Sequence, residues 1–372
     1  MHEYVCASCG KRLPGDALVF ACPCGGLLDL DFTPDFDPGS VIGRKPDLWR
    51  YAGALPVPVE NAVSLGEGFT PLLPVALGGR EVLVKQDQLF STGSYKDRGA
   101  SVMISQAAAL GVKDVVEDSS GNAGCAVAAY CARAGIGCRI FVPADTSPAK
   151  TAQISLYGAK LELVPGSREA TAAAALGAAR SAYYASHCYN PYFFHGTKTF
   201  AYEVAEQLGW QAPDAVILPA GNGTLLLGAA LGFAELAAAG IIRKRPRLVA
   251  VQAENCSPLA QAFARGDEDM AQTEARPTLA EGIAIAAPVR ARQMLAAVRE
   301  TDGTFVTASE EAITAAFLAM ARQGFYIEPT SAAVIAGAAA FAQQSGPSGR
   351  LVTVFTGHGL KAGAKLAHLA EK

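Results

Sequence analysis

The chain lacks a charge-free apolar run of membrane length, a long block of one charge sign and any leader pattern, and each lack removes a class of function. Residues 1–10, MHEYVCASCG, contain neither the basic stretch nor the apolar core of a secretory signal, so a cytoplasmic protein is expected. Only 17% of the residues are charged and the net charge is −3. The longest basic cluster is RKRPR at 243–247, which suits a helix end, so no nucleic-acid partner is expected. The most apolar stretch, residues 224–242, is interrupted by Glu235 and follows a glycine turn directly. A membrane span needs about 20 apolar residues, so a helix buried in an α/β domain is expected and no membrane partner.

Two nucleotide signatures are also missing. The turn Gly221-Asn222-Gly223-Thr224 carries no Gly-Lys-Ser/Thr and does not continue as G-x-G-x-x-G, and Glu254 comes too late to meet a ribose. Of the nine cysteines, five are scattered through apolar patterns and read as reduced, buried thiols.

What the chain does have is alternation. At 372 residues it is long enough for about two or three domains. From about residue 80 short β-rich runs alternate with alanine-rich helical ones: EVLVKQD before GASVMISQAAALG, DVVEDSS before GNAGCAVAAYCARAG, DAVILPAG before the 224–242 helix. This pattern predicts doubly wound parallel sheets, with ligands at the carboxyl ends of the strands. Residues 31–47 are the least regular and read as a connector.

Two of the βα turns share one device. Asp118–Gly124 (DSSGNAG) and Pro219–Leu225 (PAGNGTL) each place a Gly-Asn turn between a strand and a long apolar helix. A helix N-terminus offers free N–H groups and a favourable dipole, so each turn can take an anion. The plainer reading is an ordinary βα turn, with Ser120 or Asn122 capping the first helix. Lys96, within STGSYKDRGA at 91–100, sits at the mouth of a glycine-flanked loop. It could pair with a phosphate or serve as a Schiff-base amine. Near the C-terminus, VTVFTGHGLK puts Thr356 at a strand end, where its hydroxyl can meet a ring nitrogen as a neutral partner.

The motifs STGSYKDRGA, SSGNAG, GNGTL, LAEGIAI (279–285), EPTSA (328–332) and TGHGLK together resemble the fold-type II pyridoxal-phosphate enzymes, the tryptophan synthase β-like fold. Within that superfamily they are most similar to the threonine synthases, as are GEGFTPLLP (66–74) and NPYFFHGTKTFAYE (190–203). The resemblance runs in order along nearly the whole chain. It implies a lyase converting O-phosphohomoserine and water to threonine and phosphate by γ-elimination and β-addition. The alternatives are a dehydratase or β-replacement synthase of the same cofactor class, or a ligand-binding protein that kept the fold. Lys96 would carry pyridoxal phosphate and shuttle protons, and Asn122 would bond its 3′ oxygen. Gly221, Asn222, Gly223 and Thr224 would hold its phosphate, with Thr356 at the pyridine nitrogen. Ser119, Ser120, Gly121 and Asn190 would bind the amino-acid substrate. Where many relatives have an arginine after NPY this chain has Phe193, so Lys198 or Lys150 is expected to meet the substrate phosphate. A homodimer is expected. The domain reading is 1–30 as an extension, 31–95 and 200–372 as the large cofactor domain, and 96–199 as a smaller mobile α/β domain.

The extension carries Cys6-x2-Cys9 and Cys22-x-Cys24. Paired thiolates at this spacing suit one tetrahedral structural zinc ion in a ribbon-like extension, the alternative being four unmetallated thiols.

Overall fold

The computed structural model describes residues 2–146, 148–166, 168–270, 275–346 and 348–366, without the side chains of 148–150 and 364–365. The chain divides into two compact units, residues 1–68 with 96–199 and residues 69–95 with 200–372.

The second unit is built on a six-stranded sheet. Its order is Thr304–Ala308, Arg247–Ala253, Ala215–Pro219, Leu351–Val354, Arg80–Lys85, Leu72–Leu77, and every pairing is parallel except the last. Its central strands, AVILP and LVTV, are buried at every position. Continuous apolar runs are what a strand covered on both faces requires. The helices Thr224–Ala238 and Pro329–Gln344 belong to this unit. The apolar stretch at 224–242 thus ends as a 15-residue helix, and no helix among the described residues is long and apolar enough to cross a membrane.

The first unit holds a four-stranded parallel sheet ordered Lys160–Val164, Gly137–Pro143, Asp114–Glu117, Tyr183–Tyr184. Its helices include Lys96–Ala109, Asn122–Ala134, Arg168–Ala178 and Pro191–Thr197. A separate three-stranded antiparallel sheet, Arg12–Leu13, Glu3–Cys6, Leu28–Asp31, forms the cysteine-bearing N-terminus.

The α/β character and the parallel sheets follow the sequence pattern. Residues 31–68 share a compact unit with 96–199, and Leu48, Trp49, Leu55 and Val57 join the buried cluster that contains Ala100, Val102, Met103 and Ile104 of the Lys96–Ala109 helix. Trp49 Nε1 also donates to Ser101 Oγ at 3.1 Å. The N-terminal sheet shares this core, since Tyr4, Cys6, Cys22 and Leu28 pack with Tyr192 and Phe193. The short antiparallel edge strand Leu72–Leu77 and the two-residue strand Tyr183–Tyr184 left no periodic signal in the sequence.

Candidate active site

In the second unit, motifs far apart in sequence meet. The turn after Ala215–Pro219 enters its helix through Gly223, at φ 76°, and no side chain caps that end. A Cβ on Gly221 would stand 2.9 Å from Ile283 Cα and 3.0 Å from Gly282 O, and one on Gly223 would collide with Met294. Only glycine lets the LAEGIAI segment and the helix Ala291–Arg299 close on this turn. Gly282 N–H in turn reaches Thr330 Oγ1 of EPTSA at 3.2 Å.

The strand Leu351–Val354 ends in Phe355-Thr356-Gly357-His358, and this segment grips residues 93–95. Tyr95 N–H donates to Thr356 O at 3.0 Å, His358 N–H donates to Gly93 O at 2.9 Å, and Ser94 bridges Gly357. Tyr95 OH lies 2.8 Å from Thr224 Oγ1. One residue therefore touches both the glycine turn and the Thr356 segment, and Lys96 follows it in the chain. Ser94 Oγ is buried with no hydrogen-bond partner among the protein atoms. An uncapped helix N-terminus, a glycine cradle and an orphaned hydroxyl are a donor set that fits a phosphate-bearing cofactor.

In the first unit Lys96 opens its helix, three residues before the start expected from GASVMISQ. Its Nζ lies 5.7 Å from the centroid of the Phe193 ring. Phe193 is fully buried, and its ring occupies the place a Cβ on Gly99 would take. The helix Asn122–Ala134 begins after Gly121 with no side-chain cap, so neither Ser120 nor Asn122 serves as the cap. Ser119, Ser120 and Asn122 are half-buried and Gly121 is exposed.

Sequence reasoning missed the charged cluster leading into that loop. Glu117 is fully buried and accepts from His187 Nδ1 at 2.8 Å and from the Asp118 N–H. Burial pushes the Glu117 carboxyl up, and the Asp118 N–H and the charges of Arg168 and Lys96 pull against it. Burial holds His187 well below its ordinary value, and Lys96 lowers it further. Arg168 Nη2 pairs with Asp118 Oδ2 at 2.9 Å while its side chain stays 51% exposed. Its signal in the sequence was weak, a lone arginine opening an alanine-rich helix.

Other expected residues have different surroundings. Asn190 caps the helix Pro191–Thr197 by accepting from Tyr192 N–H at 3.0 Å, and its amide donates to Tyr183 OH at 2.6 Å. Lys198 is fully buried with Nζ 4.7 Å over the Phe32 ring, and His195 packs edge-on against the same ring at 5.3 Å. The side chain of Lys150 lies outside the described residues.

The four N-terminal cysteines converge, with their sulfurs all within 4.8 Å of one another. The Cys6–Cys24 and Cys9–Cys24 distances are 3.5 Å and Cys9–Cys22 is 3.7 Å. Zn–S bonds of ~2.3 Å arranged tetrahedrally put sulfurs about 3.8 Å apart, so the set fits one zinc ion. The Cys6 thiol is pulled down to about 6, most strongly by the Cys9 N–H.

Comparison with known proteins adds to this geometry. The family described as "Pyridoxal-phosphate dependent enzyme" matches residues 63–357. The threonine synthase of Methanocaldococcus jannaschii is 36% identical over 96% of this chain and 92% of its own. That of Methanosarcina acetivorans is 34% identical over 97% and 92%. Among solved structures, the processed form of threonine deaminase isoform 2 from Solanum lycopersicum superimposes with a TM-score of 0.71 at 22% identity, covering 91% of this chain and 90% of its own. This last likeness speaks for the fold alone.

The buried imidazoles carry a pH signature. His195 is held well below its ordinary value by burial, then by the charges of Lys198 and His2, and its Nδ1 has no hydrogen-bond partner. A depressed histidine binds its proton in the unfolded chain first, so the stability it contributes is present above the unfolded value of 6.5 and is lost as pH falls below it. Each such histidine steepens the loss by up to about 1.4 kcal/mol per pH unit. His195→Gln is expected to flatten the fall in unfolding free energy between about pH 6.5 and 5 by that amount, read by urea denaturation across the range. Parallel curves for the two proteins would show that His195 takes its proton in the folded state.

Proposed function

The chain belongs to the pyridoxal-phosphate-dependent enzymes and, among them, to the threonine synthases, and from that premise we propose how its residues divide the work. It is a lyase that uses pyridoxal phosphate. The substrate is O-phosphohomoserine, which with water gives threonine and phosphate.

When bound, the cofactor supplies an electron sink for charge that develops on substrate carbons. The backbone N–H groups of Gly221, Asn222 and Gly223, with the Thr224 hydroxyl, hold its phosphate. Asn122 bonds its 3′ oxygen and Thr356 its ring nitrogen. Lys96 would hold it covalently and, once the substrate's amine has displaced it, its freed amine would take the proton from substrate Cα and move protons at Cβ. Ser119, Ser120 and Gly121, at the uncapped start of the Asn122–Ala134 helix, take the substrate carboxylate. Asn190 acts by fixing the helix that carries Phe193.

The observation that carries the reading is the meeting of Tyr95 with Thr224 and with Thr356. It anchors the chain immediately before Lys96 to both places assigned to the cofactor. The substrate's phosphate needs a cation, because a desolvated phosphate without charged donors costs several kcal/mol. Lys198, engaged over Phe32, is less suited than Arg168, whose exposed guanidinium adjoins the residue before Ser119.

Phosphate release from O-phosphohomoserine, with threonine measured in step, tests this. Wild type is expected to release both at equal rates, and Lys96→Ala neither. Arg168→Ala is expected to lower kcat/KM by about 10- to 1000-fold, mainly through KM. Phosphate release at background level alongside deamination of serine or threonine would overturn the reading in favour of a dehydratase.

The four cysteines hold one structural zinc ion at the edge of the core, with Cys6 and Cys22 buried and Cys9 and Cys24 exposed. Metal analysis of the purified chain is expected to find about one zinc per chain, and the exposed-thiol variants Cys9→Ser and Cys24→Ser are expected to lose it. Wild-type protein purified with zinc but carrying no stoichiometric metal would leave the four residues as plain thiols.

A further inference from the structure

Thr356 does not stand alone at the end of its strand. Its hydroxyl oxygen lies 2.9 Å from Ser331 Oγ and 2.8 Å from Glu328 Oε1. Thr356 and Ser331 are fully buried, and Glu328 is buried as well. Gly357 makes the approach feasible, since a Cβ there would collide with the Glu328 carboxylate.

The direction of each proton in this cluster follows from counting. A hydroxyl has one proton to give and two lone pairs. Ser331 Oγ accepts the backbone N–H of Thr356 at 2.8 Å and that of Gly357 at 3.2 Å, which occupies both of its lone pairs. Its own proton can go to Gly357 O at 3.4 Å or to Thr356 Oγ1 at 2.9 Å, and the shorter contact is the better bond. Thr356 Oγ1 then accepts from Ser331 and gives its proton to the Glu328 carboxylate. What remains on Thr356 is a lone pair. In a buried site that lone pair is useful only to a group that donates.

We propose that Glu328, acting through Thr356, holds the ring nitrogen of bound pyridoxal phosphate in its protonated form. The inference rests on the placement of Thr356 at that nitrogen in the function proposed above. It reverses the expectation from sequence, in which a hydroxyl meets the ring as a neutral partner. A hydroxyl can donate to the ring only while its proton is free to turn, and here that proton is held in a hydrogen bond to a carboxylate. A protonated ring is the stronger electron sink, which suits a reaction that removes protons from two adjacent carbons. Glu328 touches neither cofactor nor substrate in this scheme; it is a positioning residue.

The test reads the ring nitrogen itself. The full-length protein is reconstituted with pyridoxal phosphate labelled with 15N in the ring, and the nitrogen chemical shift is recorded at neutral pH. Wild type is expected to show the pyridinium shift. In Glu328→Gln the amide donates to Thr356, the hydroxyl turns its proton to the ring, and the signal is expected to move to the neutral pyridine position. Thr356→Val removes the acceptor and is expected to lose the pyridinium signal too, which keeps the test open if the glutamine variant folds poorly. A neutral shift in wild type, or a pyridinium shift unchanged by both variants, would overturn the inference while leaving the proposed reaction standing. Failure of wild type to take up the labelled cofactor would instead overturn the proposed function, and this inference with it.

Discussion

The structure around Lys96 depends on a backbone clamp. The segment 93–95 has no regular secondary structure of its own, and its polar groups must be satisfied if it is to be buried. The strand end at 356–358 supplies those partners: Thr356 O for the Tyr95 N–H, and the His358 N–H for Gly93 O. Lys361 Nζ adds a bond to Thr92 O at 2.9 Å. Because these are largely main-chain bonds, they fix direction as well as position. The Tyr95 hydroxyl then extends the clamp to Thr224. An amine that must be presented reproducibly gains from such rigidity, since small misplacements are costly in catalysis.

Charge is handled differently in the two units, each in a way its fold allows. The second unit buries Lys85 fully and matches it with Glu203 at 2.8 Å, Gln207 at 2.8 Å and Thr70 O at 2.6 Å. That is a satisfied network, and removing one partner would strand the other's charge. The first unit instead gathers Glu117, Asp118, His187 and Arg168 beside the turn at 119–121, with carboxyls pushed up and an imidazole pushed down by burial.

Much of the fold was legible because parallel sheets leave a simple trace: apolar runs such as AVILP and LVTV, each followed by a glycine-bearing segment. The two Gly-Asn turns were legible as strand-to-helix junctions, and a helix does start at each. The cysteine pairs were legible by spacing, and their sulfurs do converge. What the sequence hid were relations between residues distant in the chain. Nothing near Thr356 announces that Glu328, 28 residues away in sequence, will accept its hydrogen bond. Nor does the alanine-rich helix at Arg168 announce a partner at Asp118. Leu48 and Trp49 form no periodic pattern in the sequence, only a packed patch in the fold.

The proposed function puts the cofactor on Lys96. Reduction of the purified, cofactor-loaded protein with borohydride, followed by peptide mass mapping, tests that directly. The account places the phosphopyridoxyl mass on the peptide containing Lys96 and on no other lysine. A stable adduct on a different lysine, or a cofactor-loaded protein whose Lys96 peptide keeps its unmodified mass, would contradict it.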